Sequence, residues 1–194
     1  MRERPVLMHA RSIKGIMEGR KSQTRRIVKP QPPERWTQHE FTAPDMVRWA
    51  YQLPSLDWHT VKCPYGQPGD RLWVRETWCL GGEDGKKVLY RATEGSDADC
   101  WRPSIHMPRW ASRLTLEVAN VRVERVQDIS YSGITREGVI PELRPGLDVS
   151  IDGELSDMGL SAVRDQFKRL WDDTNGKGAW DRNDWVWVVE FKKS

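Results

Sequence analysis

Hydrophobic and polar positions alternate most clearly in the run Arg71-Leu72-Trp73-Val74-Arg75-Glu76-Thr77. In a strand, Leu72, Val74 and Glu76 share one face, and Trp73, Arg75 and Thr77 share the other. The turn residues Gly66, Pro68, Gly69 and Asp70 precede it, so a strand is predicted over 69–78. Glu76 is the odd member, a carboxylate in phase with two core residues. Its position calls for a rim, a nearby cation or a polar pocket, because burying it unpaired is expensive. Leu114, Leu116 and Val118 also alternate, as do Val121 and Val123, and the phase slips at Ala119-Asn120, where a β-bulge fits. Pro5 to Met8 reads as a short buried strand, and Trp185 to Phe191 as a strong closing one. Gly81 to Gly85 reads as a hairpin turn with Val88 to Ala92 as its return strand.

Helical periodicity appears three times. Ile13, Ile16 and Met17 suit a short helix with Ser12 as cap and Gly19 as stop. Ser130 to Glu137 suits a second, ended by Gly138. Val163, Phe167, Leu170 and Trp171 follow i, i+4, i+7, i+8, an amphipathic helix stopped at Asn175-Gly176. Residues 93–111 and 143–156 read as loops. Short strands with turns between them, plus a few helices, predict an α+β fold: a small closed β-barrel with flanking helices. Residues 30–62 break the pattern with Pro30, Pro32 and Pro33, then Trp36, Trp49, Tyr51 and Trp58. They read as an insertion of short strands or coil packed by its aromatics, serving as a lid or a partner surface.

Composition sharpens this picture. The 194 residues suit one elaborated domain or two small ones. A hydrophobic content of 38% and a mean hydropathy of −0.72 describe a soluble, polar chain. The 11 tryptophans are more than a core needs, so some flat faces are available for stacking on a base or packing on a partner. The net charge of +3 is mild, but its distribution is not. Residues 1–30 carry Arg2, Arg4, Arg11, Lys14, Arg20, Lys21, Arg25, Arg26 and Lys29 against Glu3 and Glu18, a face that suits phosphate. Cys63, Cys79 and Cys100 have no CxxC spacing, which suggests neither a zinc site nor a disulfide framework and fits a reducing cytoplasm. No apolar run approaches ~18 residues, and the basic N-terminus lacks an apolar core, so neither a membrane span nor a signal peptide is expected.

Three sets of residues carry candidate chemistry. The loop Gly19-Arg20-Lys21-Ser22-Gln23-Thr24-Arg25-Arg26 gathers cations, hydroxyls and amides in one turn, able to hold an anion or a polar base edge. Within it, Lys21 and Thr24 are spaced so that an ammonium and a hydroxyl can meet. A desolvated, neutral lysine can serve as base for a hydroxyl nucleophile. The second set is the acidic pair Glu76 and Glu137. The third is His106 with Arg109 and Trp110. HExxH, GxSxG, P-loop and GxGxxG patterns are absent, which removes support for metalloproteases, common serine hydrolases and nucleotide-phosphate folds.

These stretches in order resemble a known family. The 19–26 loop, Gly69-Asp70-Arg71-Leu72-Trp73-Val74, Arg136-Glu137-Gly138-Val139 and the final Trp/Val/Phe strand are similar to the ASCH domain of the PUA-like superfamily, in its long phage- or prophage-encoded branch. The resemblance implies a single PUA-like domain over 1–194, with an insertion at about 30–62 and a cleft suited to RNA, DNA or a modified nucleoside. More distantly, the chain resembles the bacterial N4-acetylcytidine amidohydrolases, whose GRKTxT loop matches Lys21 and Thr24, with Ser22 in place of a threonine. That likeness implies a metal-independent and cofactor-free amidohydrolase with Lys21, Thr24 and Glu137 catalytic. It also implies base or nucleic-acid contacts from Arg20, Arg25, Arg26, Trp73, Arg75, Glu76 and Arg109. Other readings remain: a non-catalytic RNA or DNA reader, an RNA-cleaving ASCH nuclease, or a phage protein that binds a host protein through its Trp-rich insertion. Each places the chain in the host-cell cytoplasm.

Overall fold

The computed structural model describes residues 1–32, 39–43, 46–52, 58–82, 84–94, 100–142 and 156–194, with the backbone alone for 39–60. The fold is α+β. A five-stranded sheet has the order β1-β6-β9-β10-β2, built from β1 (Glu3–Leu7), β2 (Gln23–Ile27), β6 (Arg71–Arg75), β9 (Thr115–Arg125) and β10 (Trp185–Lys193). The β1–β6 pair is parallel and the other pairs are antiparallel.

Burial on both faces explains the unbroken apolar run Trp185 to Val189 in β10. Trp187, Val189 and Phe191 point into one core with Leu72, Val74, Leu116 and Ile13. Val186 and Val188 point into a second core with Val163, Phe167 and Trp171. Both faces of β10 are therefore covered, and each fully buried side chain of this size stabilises by about 1.5–3 kcal/mol. The second core is made by α4 (Asp157–Asn175), capped where the Ser156 hydroxyl accepts from Gly159 N–H at 3.1 Å. α3 (Tyr131–Arg136) joins it, capped in the same way by Ser130.

β6 starts where the turn predicts. Asp70, buried at its head, accepts from Arg2 N–H at 2.8 Å and from Gln67 N–H at 3.3 Å. Gly66 sits at φ +97°, and a Cβ there would lie 2.9 Å from the Asp70 carboxylate. The slip at Ala119-Asn120 is present: Glu190 pairs with Asn120 but Phe191 with Val118, leaving Ala119 as the extra residue.

Several expectations need correction. The 69–78 strand is two strands, β6 and then β7 (Trp78–Gly81), which pairs with β8 (Lys87–Tyr90) in a separate hairpin. Between the two strands, Glu76 N–H donates to Met107 Sδ at 3.3 Å instead of to a neighbouring strand. β8 stops at Tyr90, and α2 (Arg91–Glu94) follows. α1 (Ala10–Met17) begins after His9, so Ser12 lies inside its first turn, and Met17 is exposed.

The sheet is not a closed barrel. Among the described residues no backbone ladder joins its edges β1 and β2, although the Arg26 guanidinium donates to the Leu7 carbonyl between them. β3 (His39–Ala43), β4 (Met46–Gln52) and β5 (Trp58–Lys62) pair antiparallel in a separate sheet of order β3-β4-β5. Trp36 and the packing of these strands' aromatics lie outside the described residues, as does most of the 143–156 loop. Cys79 and Cys100 form a disulfide with Cα atoms 5.6 Å apart, contrary to the reading from spacing. The Trp78–Arg102 bridge brings together two cysteines 21 positions apart, which no local motif reveals. Among the described residues, no helix is long and apolar enough to cross a membrane.

Candidate functional site

The turn after α1 is held by the helix it leaves. Gly15 C=O accepts from both Arg20 N–H at 2.8 Å and Lys21 N–H at 2.9 Å. Lys21 then bridges to Glu137, and Ser22 N–H donates to Arg136 C=O at 3.0 Å, so the loop is sewn to the end of α3. Gly138, at φ +82°, makes this approach feasible: a Cβ there would lie 3.0 Å from the Lys21 Cβ.

Lys21 is buried, and its Nζ donates to Glu137 twice, at 2.7 Å to Oε2 and 2.8 Å to the backbone carbonyl. Burial pushes the lysine below its ordinary 10.5; the Glu137 charge opposes that, and nearby Arg26 and Arg25 add to it. Glu137 uses its other oxygen to accept from Arg25 Nη1 at 3.1 Å. The Arg25 side chain is 1% exposed, also grips Glu124, and lies 5.9 Å over the Phe167 ring. Arg122 extends the chain of charges to Glu124 and Glu190.

A cavity of about 240 Å³ opens beside this ion pair, along the β2 edge between α1 and the last turns of α4. Lys21, Thr24, Arg26 and Glu137 line it, with Phe167 and Trp171 as its aromatic side. That volume sits just below the roughly 300–1,000 Å³ of small-molecule sites. Thr24 Oγ1 makes no hydrogen bond among the described residues. Ladder bonds join Ser22 C=O and Val28 N–H to β10, so by alternation the peptide groups of Gln23, Arg25 and Ile27 point off the free edge. Arg26 also lines a second depression with Lys29, Lys62 and Tyr65, and its Nε is buried without a partner. Among the described residues no group of His, Cys, Asp and Glu is placed to hold a metal ion.

The structure thus gathers Lys21, Thr24, Arg25, Arg26 and Glu137 and separates the other candidates. Arg25 also borders the cavity, but its side chain is 1% exposed and is held by Glu124 and Glu137. Arg20 is on the surface, bonded to Glu18 and to Gly138 C=O. Glu76 does not line this cavity. Instead Glu76 takes a two-pronged contact from Arg113, Nε and Nη2 each at 2.9 Å, beside a separate cavity that it shares with His9 and Arg91. Trp73 points outward from β6 between Arg75 and Arg109, whose guanidinium carbons lie 5.4 and 6.0 Å from its ring centre. Sequence reasoning missed Arg113 and Glu124 as charge partners, because neither is near its partner in the chain. Phe167 and Trp171 were legible only as a helix's apolar stripe. Comparison with family models, curated proteins and solved structures finds no match to this chain.

Proposed function

We propose that this chain is a PUA-like ASCH domain whose β2-edge cavity receives a nucleobase and hydrolyses an exocyclic amide on it, as in an N4-acylated cytosine. The observation that carries the reading is the buried Lys21–Glu137 pair beside a cavity that also holds an unbonded threonine hydroxyl. The open sheet is then a PUA-like barrel whose β1 and β2 edges are bridged by a side chain.

Phe167 and Trp171, buried in the α4 core, form the apolar floor on which the base rests. Peptide groups on the β2 edge and the Arg26 guanidinium supply donors and acceptors for its polar rim. In the reaction, Thr24 Oγ1 attacks the acyl carbon while neutral Lys21 takes its proton. The C–N bond breaks as Lys21 returns that proton to the departing amine, leaving an ester on Thr24. Water then cleaves the ester, releasing the carboxylic acid and restoring the threonine. Glu137 fixes the Lys21 amine and steadies its charged form in the transition state. Desolvation of Lys21 makes its neutral form accessible closer to neutral pH. A cytoplasmic setting follows from this substrate class rather than from cysteine usage, since Cys79 and Cys100 are paired.

A specific observation also favours a second reading. Lys21 Nζ is occupied by Glu137 and forms no hydrogen bond to Thr24 in this structure. A non-catalytic reader would use the pair as a fixed wall and bind the base without turnover. Incubating the protein with N4-acetylcytidine and following deacetylation by chromatography distinguishes the two. Release of cytidine that disappears in Thr24→Val supports the hydrolase, and binding without release supports the reader.

A further inference from the structure

The segment around Trp110 lies apart from the cavity. It carries a 3-10 turn at Arg109–Ala111, and Trp110 is 65% exposed. Trp110 meets the buried Trp78 ring at 5.6 Å with the planes 87° apart. The perpendicular contact anchors the indole, while most of the ring stays open to solvent. Arg102 lies 5.3 Å over the same Trp78 ring, so a guanidinium and an open indole share one support. Beside them, the outward face of β1 and β6 carries Pro5, Leu7, Arg71, Trp73 and Arg75, flanked by the 3-10 turns at Ser104–His106 and Arg109–Ala111. Arg75 donates to the Ile105 carbonyl, and Ile105 itself is 55% exposed. The acidic members of this strand face are Glu3, which Arg109 already holds, and Glu117 opposite Arg71.

We propose that this face is a second binding surface, for single-stranded nucleic acid, with Trp110 as a base-stacking platform and Arg102, Arg71 and Arg75 as phosphate contacts. The cations outnumber the carboxylates here, so a polyanion is the occupant whose charge the face complements. An open indole beside guanidinium groups is what an unpaired base on a charged backbone requires. The proposal does not rest on the cavity reading, since no Trp110-face residue lines that cavity.

The test is fluorescence anisotropy of a labelled 15-mer of deoxythymidine or uridine, titrated with the full chain at low and at moderate salt. Trp110→Ala is expected to weaken binding by about fivefold or more, because stacking one base contributes roughly 1–3 kcal/mol. Trp110→Phe is expected to retain most of the affinity. Arg102→Ala is expected to flatten the salt dependence. Trp110 is exposed, so an unchanged melting temperature separates lost contact from lost fold. Unchanged affinity in Trp110→Ala, equal losses in Trp110→Ala and Trp110→Phe, or no binding of either strand by the wild type at low salt would overturn the proposal. Deacetylation of a free nucleoside is expected to be the same in Trp110→Ala as in the wild type, so failure of this surface and failure of the cavity reading are told apart.

Discussion

Lys21 Nζ sits 2.7 Å from Glu137 Oε2 and 2.8 Å from the Glu137 carbonyl, and both side chains are nearly sealed from water. The same residue thus supplies a charge and a dipole to one ammonium. Burial still outweighs them and holds the lysine below its ordinary 10.5. Unfolded, the lysine keeps its proton up to that ordinary value; folded, it loses it earlier. Between the two the unfolded chain binds more protons, so the Lys21 contribution to stability rises with pH across that window. Comparing urea midpoints of the wild type and Lys21→Met from pH 7 to 10 checks this. The wild type is expected to gain on the variant as pH rises, and a falling difference would contradict the assignment.

Arg25 is expected to matter for folding more than for binding. It is the cation between Glu124 and Glu137, and Arg25→Ala leaves both carboxylates without it in a site already short of water. Breaking a buried pair of this kind costs about 3–5 kcal/mol. Equilibrium urea unfolding measures it, and a loss under about 1 kcal/mol would show that water reaches the pair.

The Glu76–Arg113 contact makes a second stability prediction with a different outcome for function. Arg113→Ala leaves Glu76 buried and unpaired, which costs about 3 kcal/mol. Neither residue lines the Lys21 cavity, so nucleoside affinity of the folded variant is expected to match the wild type. A change in affinity without a change in stability would place Glu76 back in the site.

How much was readable in the chain varies with the kind of force involved. The alternation of Leu72, Val74 and Glu76, the bulge at Ala119 and the stripe of Val163, Phe167 and Trp171 were legible because periodicity records which face is buried. Lys21 and Thr24 were read as a pair from their spacing in one loop, whereas Thr24 stands in β2 and the two share only the lining of the cavity. Arg25 was read as an anion contact because a loop rich in cations suggests one, and its carboxylate partners, from β9 and from the end of α3, lie 99 and 112 positions away. The phase of Glu76 called for a rim, a nearby cation or a polar pocket, and its place beside the cleft was what the resemblance implied. Phase fixes the side of a strand but not the neighbour across it, and Arg113 claimed it. The disulfide and the open sheet order depend on long-range pairing that no local pattern encodes.

The sequence suggests anion contacts for Arg25 and Arg26 alike, and Arg25 is the one held between two carboxylates. Arg26 lines both the Lys21 cavity and the depression with Lys29 and Lys62, with one nitrogen buried and unpartnered. Arg26→Ala is expected to weaken binding of an acylated cytidine within an oligonucleotide and to lower the salt slope by about one unit, while Arg25→Lys leaves that slope unchanged. An unaltered slope in Arg26→Ala would mean that this guanidinium serves only to tie β2 to Leu7.

The most direct measurement is turnover of N4-acetylcytidine by the wild type, Lys21→Arg and Thr24→Val, with affinity measured in parallel by calorimetry. Arginine keeps the charge but stays protonated, and valine keeps the shape of threonine without its hydroxyl. The account predicts cytidine release by the wild type, rising with pH toward an inflection below 10.5, and a loss of at least 100-fold in both variants, in line with the ~10²–10⁴-fold contribution of a general base. Affinity in Thr24→Val should stay near that of the wild type. Undiminished turnover by Lys21→Arg, or no turnover by the wild type at any pH, would contradict it.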